Sequence, residues 1–360
     1  MRSFPKRKGN LYNGSMTFEN LLTAFYRDEN RSLPWRNEPD FYHVFVSEVM
    51  LQQTQVKKVM PYYQRFLAAF PTVESLASAS EEKVLKLWEG LGYYSRARNL
   101  LAAAQTIVVS RKGKLPGTEA ELLSLPGIGI YTAHAILAIA FHKKAIAVDA
   151  NLCRIFCRLT ENTEADLAKQ KESCEAFFRD RLKDSDPSVF NQALMDVGEQ
   201  ICLAHGVPHC EQCPLSSLCR AAVNKSYEKY PILRKNIAKK KENWTVAVLS
   251  YKDKIGIRKR PSSGLLASLY EFDSLPGILS EADLRKALRK QGFSVKKLRP
   301  LGPDRQVFSH LNWNLVGYAV ELTRNPASSS LIFVSPETLE SSFSLPSAFL
   351  RYYRRRKQEV

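Results

Sequence analysis

The spacing of apolar residues divides the chain into a helical part and a part rich in strands. From about residue 16 to 220, apolar side chains recur every three or four positions, which is the period of an amphipathic helix. This spacing predicts helices over residues 41–56, 81–89, 96–109, 131–141, 151–159 and 189–201. From Trp244 onwards apolar and polar positions alternate, which predicts strands. We therefore expect a multi-domain protein, with an all-α domain followed by a smaller α+β domain.

Composition suggests boundaries around these two domains. Residues 1–15 carry basic side chains with no apolar stretch behind them, so we expect a basic N-terminal arm rather than a secretory signal. The predicted domains are the helical domain at 16–220, an exposed basic linker at 221–243, the α+β domain at 244–345 and a basic tail at 346–360, whose charged run at 354–357 we expect to be solvated.

Charge indicates a polyanionic partner. The chain has 53 Lys and Arg against 36 Asp and Glu, a formal net charge of +17. A membrane surface would also attract this charge, but no apolar run approaches the roughly 18 residues of a spanning helix. We expect a monomer that binds nucleic acid and not membrane. We expect it in the bacterial cytoplasm at the nucleoid, or in the nucleus of a eukaryote.

The segment Leu125-Pro126-Gly127-Ile128-Gly129-Ile130-Tyr131 lies between two helical patterns. Gly127 and Gly129 permit a tight hairpin whose backbone N–H groups, with those of the next helix, can point outward at a phosphate. Such a hairpin grips the nucleic acid backbone without reading bases. An ordinary hairpin between helices, followed by a helix that Asp149 caps, fits these residues equally well.

Glu48 and Asp149 lie in sequence surroundings that suit the two acids needed to cleave a glycosidic bond. Glu48 lies among apolar and amide residues of the 41–56 pattern, where burial would raise its pKa and leave it a proton donor near neutrality. Asp149 opens the next helical pattern after the hairpin and could stabilise a cation that forms on a deoxyribose. A solvated helical glutamate is the alternative for Glu48.

Four of the seven cysteines follow one helix closely, with one Cys-x2-Cys pair flanked by single cysteines. Clustered cysteines in a chain without a secretion signal indicate a metal cofactor rather than disulfides. Zinc sites usually pair two Cys-x2-Cys units, so the spacing favours a [4Fe-4S] cluster, with zinc as the alternative. The predicted ligands are Cys202, Cys210, Cys213 and Cys219, whereas core packing is expected for Cys153, Cys157 and Cys174.

The order of these elements resembles the helix-hairpin-helix DNA glycosylases of the endonuclease III superfamily, and within it the adenine glycosylases of the MutY type. The resemblance spans essentially the whole helical domain and continues at Phe308-Ser309-His310 into a Nudix-like module that recognises 8-oxoguanine. Relatives with lyase activity carry a lysine at the position of Tyr131, and a phenol cannot form their imine. The resemblance therefore implies a monofunctional enzyme that removes adenine mispaired with 8-oxoguanine or G in duplex DNA.

The resemblance also implies roles for individual residues. Glu48 would protonate the adenine, and Asp149 would stabilise the sugar cation or a covalent adduct. Tyr131 and Asn151 would position these two groups. The implied DNA contacts are Trp35, Arg36 and Leu51 with Gln192 in the adenine pocket, Gln53 and Tyr93 wedged at the lesion, and Phe308, Ser309 and His310 at 8-oxoguanine.

Some features depart from the family pattern, and two other functions stay open. Ala150 replaces a usual glycine between Asp149 and Asn151, and the acids of the Nudix catalytic box are missing around residues 281–292, which argues against pyrophosphatase activity. The first alternative is a bifunctional glycosylase and lyase acting on oxidised pyrimidines. The second is an iron-sulfur protein that binds DNA without catalysis.

Overall fold

The computed structural model describes residues 16–29, 31–37, 39–232, 239–324 and 330–358. Within these ranges the chain forms two compact units. The first consists of described residues in 1–64, 72–74 and 102–235, and the second of those in 65–71, 75–101 and 236–360. The predicted arm at 1–15 lies outside the described residues. The described helices include none that combines the length and apolar character needed to cross a membrane.

The N-terminal part is helical, as the period of its apolar residues predicts. The helices, in chain order, are α1 (Phe18–Glu29), α2 (Pro34–Asn37), α3 (Phe41–Leu51), α4 (Val56–Ala69), α5 (Val73–Ala77), α6 (Glu81–Leu87), α7 (Ser95–Gln105), α8 (Glu119–Leu123), α9 (Ile130–Ile139), α10 (Ala150–Thr160), α11 (Leu167–Leu182), α12 (Pro187–Asp196) and α13 (Arg220–Val223). In the first unit α10, α11 and α12 pack with α1 around a core that includes Phe25, Phe178 and Phe190. The buried cysteines Cys153, Cys157 and Cys174 belong to this core, as predicted.

Several predicted helix limits are wrong. The predicted helix at 41–56 ends at Leu51, because the chain turns at Gln53, whose φ is +55°. The patterns at 96–109 and 189–201 each continue past an α-helix into a wider π-helical turn, at Thr106–Ser110 and Val197–Ile201. The spacing of apolar residues shows which face of a helix is buried. It does not show where the backbone hydrogen bonds change from partners four residues apart to partners five residues apart.

The second unit contains a mixed sheet. Its strands are β1 (Lys240–Tyr251), β2 (Lys254–Lys259), β3 (Tyr270–Glu271), β4 (Asp273–Pro276), β5 (Val295–Val307), β6 (Leu311–Leu322) and β7 (Ile332–Val334). The main order is β3-β2-β1-β6-β5, with β1 and β6 parallel and β5 and β6 joined as a hairpin. Helices α14 (Glu281–Lys290), α15 (Pro336–Ser342) and α16 (Ser347–Lys357) complete the α+β arrangement that the sequence predicts.

Two predictions from charge are wrong. Residues 347–357 form α16 rather than a tail, because Phe349, Tyr352 and Tyr353 are buried against the sheet, although Arg354 and Lys357 of the basic run are exposed. The i, i+3, i+4 spacing of the three aromatic residues is helical, and the basic run that follows conceals it. The 221–243 segment is not a linker throughout, since Ala221 is buried in α13 and β1 begins at Lys240. Strand pairing uses backbone groups, so a run of lysines can start a strand.

Candidate active site

The glycine hairpin joins α8 to α9 in the first unit. Thr118 forms a capping box with Glu121 at the start of α8, as its spacing predicts. Gly127 has a φ of +76°, which a residue with a side chain adopts at a cost. Gly129 is the N-cap of α9, and a side chain added there would meet no other atom. The first turn of α9 therefore starts without a side-chain cap, and its N–H groups are left for an acceptor outside the helix.

Glu48 lies in the middle of α3 and is only 4% exposed. Burial raises its pKa to about 7, an effect that the nearby Asp149 carboxylate increases and a hydrogen bond from Tyr131 reduces. Its Oε2 atom is buried and accepts no hydrogen bond from any of the residues described. Glu48 is thus an acid whose proton is held near neutral pH, with one oxygen available.

Tyr131 links the hairpin to Glu48. It occupies the first turn of α9, and its hydroxyl donates a hydrogen bond to the Glu48 carboxylate. Burial, with the charges of Glu48 and Asp149, raises the pKa of Tyr131 well above its usual range. The phenol therefore stays neutral and remains a donor between the two acids.

Asp149 is the N-cap of α10. Its Oδ1 accepts from the Leu152 N–H at 2.7 Å and its Oδ2 from Asn151 Nδ2 at 2.9 Å. Burial raises the pKa of Asp149, and these two donors, with Arg154, oppose that rise because they favour the ionised form. Ala150 adopts helical backbone as the first residue of α10, a position where alanine is unstrained.

The side chain of Asn151 is oriented by a second hydrogen bond, to Arg154. Its Oδ1 accepts from Arg154 Nη1 at 2.9 Å, so the amide nitrogen is turned toward Asp149. Arg154 also donates to the backbone oxygens of Gly198 and Cys202, each at 2.8 Å. The orientation of Asn151 therefore depends on a buried arginine in the next turn of α10.

The residues predicted for an adenine pocket line one cavity together with Glu48. Trp35, Arg36, Leu51 and Gln192 all contribute to its wall. Trp35 is 7% exposed and meets Tyr63 edge to face, with ring centroids 5.3 Å apart. The wall combines apolar side chains with charged and amide ones, which suits a flat base that carries ring nitrogens.

Asp196 is a member of this cavity that the sequence reasoning missed. Its carboxylate receives Arg36 Nη1 at 2.8 Å and Nη2 at 3.0 Å, a two-pronged pair, and Arg31 Nη1 at 2.6 Å. Asp196 is 1% exposed and lies one turn after Gln192 on α12. An acid on an apolar helix is the signal that identifies Glu48, and the same signal was available for Asp196. Arg31 carries no such signal, because nothing in its local sequence marks it.

The two predicted wedge residues share an unusual backbone. Gln53, in the first unit, has a φ of +55°, and Tyr93, in the second, has a φ of +49°. Both side chains are exposed. Residues other than glycine reach this region at an energetic cost that the surrounding structure must hold in place.

The four predicted ligand cysteines line one cavity between α10 and the loop after α12. Arg158 lies beside them and places Nη1 3.3 Å from Cys202 Sγ. Burial raises the pKa of the Cys210 and Cys219 thiols. Within the described ranges, no three ligating side chains come close enough together to hold a single metal ion.

Phe308, Ser309 and His310 form the turn of the β5–β6 hairpin in the second unit. The Phe308 N–H donates to the Leu311 oxygen at 2.8 Å and closes the turn. Ser309 and His310 are exposed at its tip, with Ser309 Oγ 3.3 Å from His310 Nδ1. The hairpin therefore presents two hydrogen-bonding side chains to solvent, and the Phe308 ring lies behind them.

Comparison with known proteins gives two family matches. The model for HhH-GPD superfamily base excision DNA repair proteins matches residues 46–182, and the NUDIX domain model matches residues 245–355. A thermostable thymine-DNA glycosylase of known structure superposes with a TM-score of 0.52 at 27% identity, over 57% of this chain and 95% of that one. This structural similarity covers a length close to that of the helical domain.

Individual relatives match over most of the chain. An adenine DNA glycosylase of Buchnera aphidicola subsp. Baizongia pistaciae is 33% identical over 82% of this chain and 83% of its own length. The human adenine DNA glycosylase is 34% identical over 84% of this chain and 67% of its own length. The mouse adenine DNA glycosylase is 34% identical over 87% of this chain and 72% of its own length.

Proposed function

This chain belongs to the adenine DNA glycosylases of the HhH-GPD superfamily, and we propose that it removes adenine mispaired with 8-oxoguanine or G in duplex DNA. It is a base excision repair enzyme that hydrolyses an N-glycosidic bond. The observation that carries the proposal is the group of Glu48, Tyr131 and Asp149, with Glu48 also lining the cavity that contains Trp35. A buried acid with its proton and an ionisable carboxylate are the two groups that this reaction needs.

Glu48 acts as the general acid. An adenine seated in the cavity meets the available Oε2 of Glu48, which donates its proton to N7 of the base. Protonation makes the base a better leaving group, since it departs neutral. Tyr131 keeps the other part of the Glu48 carboxyl group in place through its hydrogen bond.

Asp149 stabilises the positive charge that develops on the deoxyribose. The carboxylate is fixed by the Leu152 N–H and by Asn151, so it needs no reorganisation as the charge appears. It acts either through space or through a transient covalent adduct, before water attacks the sugar carbon. Gly127 and Gly129 hold the adjacent phosphate with backbone N–H groups of the hairpin.

The enzyme works on a base that has left the duplex. Trp35, Arg36, Leu51 and Gln192 enclose the flipped adenine. Gln53 and Tyr93 occupy the space that the base leaves, and both side chains are exposed, as this role requires. Ser309 and His310 read 8-oxoguanine on the opposite strand from the exposed tip of their hairpin.

A lyase step is not part of the proposal. The β-lyase reaction requires an amine that forms an imine with the sugar, and Tyr131 supplies a phenol at the position where related lyases carry lysine. The protein therefore leaves an abasic site and an intact strand.

The test of this function is an assay on defined duplexes. Purified protein is incubated with duplexes that carry A opposite 8-oxoguanine, A opposite G, A opposite T, or an oxidised pyrimidine opposite G. We expect abasic sites in the first two, fastest with 8-oxoguanine, and strand breaks only after alkali. Strand breaks without alkali, or a preference for the oxidised pyrimidine, would instead identify a bifunctional glycosylase. If no base is released from any duplex, the protein binds DNA without catalysis.

The same proposal includes a [4Fe-4S] cluster held by Cys202, Cys210, Cys213 and Cys219. The donor set fits, because four thiols line one cavity and Arg158 offers a positive charge beside an anionic cluster. One Cys-x2-Cys pair flanked by single cysteines suits a group with several irons better than a zinc site, which usually pairs two such units. The cluster would be held entirely by the segment that follows α12, with Arg158 of α10 beside it.

We expect protein purified without oxygen to be brown, with a broad absorbance near 400 nm and about four irons for each chain. Iron, zinc and acid-labile sulfide measured on the same sample decide the question. A Cys213→Ser variant should contain less iron, whereas Cys174→Ser, in the core, should load as the unaltered protein does. A colourless preparation with one zinc for each chain would exclude the cluster.

A further inference from the structure

The 8-oxoguanine-reading hairpin rests on an aromatic side chain in the next strand. The Phe308 ring meets the Trp313 ring edge to face, with centroids 5.0 Å apart and the planes at 74°. Trp313 belongs to β6 and is only 5% exposed. Its position therefore sets where the Phe308 ring lies, and with it the start of the turn.

A single carboxylate holds that indole. Trp313 Nε1 donates to Glu242 Oε2 at 3.0 Å, and Trp244 Nε1 donates to the same oxygen at 3.4 Å. Lys240 Nζ donates to the other oxygen, Oε1, at 3.0 Å. Glu242 and Trp313 are directly paired in the parallel β1–β6 ladder, so the contact spans adjacent strands. Hydrogen bonds to a charged acceptor are among the stronger ones in proteins.

The start of β1 also reaches the hairpin backbone. Lys239 Nζ donates to the Phe308 oxygen at 2.8 Å, while the Phe308 N–H donates to Leu311. Both backbone groups of Phe308 are thus engaged. Residues 239–244 and the Trp313 ring fix the base of the hairpin and leave Ser309 and His310 exposed at its tip.

We infer that Glu242 is a positioning residue for recognition of the lesion. By holding Trp313, and through it Phe308, Glu242 keeps the hairpin in the one orientation in which Ser309 and His310 meet 8-oxoguanine. The inference rests on the proposed function, since it assumes that this hairpin reads the lesion. In this role Glu242 acts through Trp313 and Phe308, without a contact of its own to the lesion.

The test measures single-turnover adenine release from A:8-oxoguanine and A:G duplexes for a set of variants. Glu242→Leu should lower the preference for 8-oxoguanine about 3- to 10-fold, the range for loss of one hydrogen-bonded contact. The rate on A:G should stay within about twofold of that of the unaltered enzyme. Glu242→Gln keeps an oxygen acceptor and should retain most of the preference.

A matched control and a double variant separate positioning from general stability. Glu321 is also a strand acid paired with a lysine, Lys296, at 2.7 Å, so Glu321→Leu makes the same chemical change and should leave the preference unaltered. In a Phe308→Ala background, Glu242→Leu should have no further effect, because the ring that it positions is gone. Trp313→Phe removes the indole N–H and also shrinks the ring that supports Phe308, so it tests the same support if Glu242→Leu fails to fold.

The outcomes distinguish the two proposals. If Ser309→Ala combined with His310→Ala keeps the full preference for 8-oxoguanine, the hairpin does not read the lesion and the proposed function needs another reader. If Phe308→Ala loses the preference and Glu242→Leu keeps it, the role of Glu242 is wrong while lesion reading stands. Equal effects of Glu242→Leu with and without Phe308 would also overturn the positioning role.

Discussion

Glu48→Gln should abolish adenine release while binding to the A:8-oxoguanine duplex stays close to that of the unaltered enzyme. The amide has the shape of the acid but no proton to give. General acid catalysis is worth about 100- to 10,000-fold, so single-turnover release should fall by at least that lower figure. Binding measured by titration should change little, because Glu48 contributes one neutral group to the cavity wall.

Two further measurements test whether the loss in Glu48→Gln comes from the missing proton donor. Glu172→Gln, an exposed change on α11, should release adenine normally. The unaltered enzyme should lose single-turnover activity as the pH rises through about 7, since burial raises the pKa of Glu48 to about 7 and the ionised form has no proton to donate. A loss smaller than tenfold in Glu48→Gln, or a flat profile across neutral pH, would assign the acid elsewhere.

The stability of Glu48→Gln should not fall with its activity. The carboxyl of Glu48 has a higher pKa folded than unfolded, so protonated Glu48 favours the folded state and this benefit disappears as the pH rises through about 7. The neutral amide of Glu48→Gln carries no such penalty above that pH. Retained or increased thermal stability at pH 8 would show that lost activity is not lost fold.

Local sequence predicted the parts of the site that depend on local geometry. The two glycines of the hairpin predict a turn, at which Gly127 has a positive φ, and Glu48 stands out because its neighbours on α3 are apolar. The four cysteines between residues 202 and 219 indicate a cofactor site because they lie so close together in the sequence. In each case the cause of the structure lies within a few residues of the signal.

Contacts between distant segments were beyond the same reasoning. Arg36 and Asp196 are 160 residues apart and Glu242 and Trp313 are 71 apart, so no spacing rule connects them. The burial of α16 was missed for another reason, since its basic run at 354–357 outweighed three aromatic side chains. The charge of a segment shows which of its side chains prefer solvent. Packing against the sheet decides which of its other side chains are buried.

Asp149→Asn should be as damaging as the change at Glu48, for an electrostatic reason. An asparagine at the N-cap still accepts the Leu152 N–H, so α10 should form and the protein should fold. The negative charge beside the deoxyribose is lost, and preorganised stabilisation of this kind is worth about 100- to 1,000-fold. Single-turnover release from the A:8-oxoguanine duplex should fall by about that factor.

Asp166→Asn is the matched control for this change. Asp166 caps α11 through the Ala168 and Lys169 N–H groups, so the same substitution tests loss of a capping charge away from the site. It should leave adenine release unaltered. Equal losses in both variants would reduce the role of Asp149 to capping its helix.

The pH dependence of the residual activity of Asp149→Asn gives a second test. The Asp149 carboxylate helps to raise the pKa of Glu48, so removing its charge should make Glu48 ionise more easily. The pH at which the remaining activity is lost should therefore move below that of the unaltered enzyme. An unchanged pH profile in a variant that is still slow would mean that Asp149 serves the sugar cation without interacting with the acid, and the two groups would then have to be treated as independent.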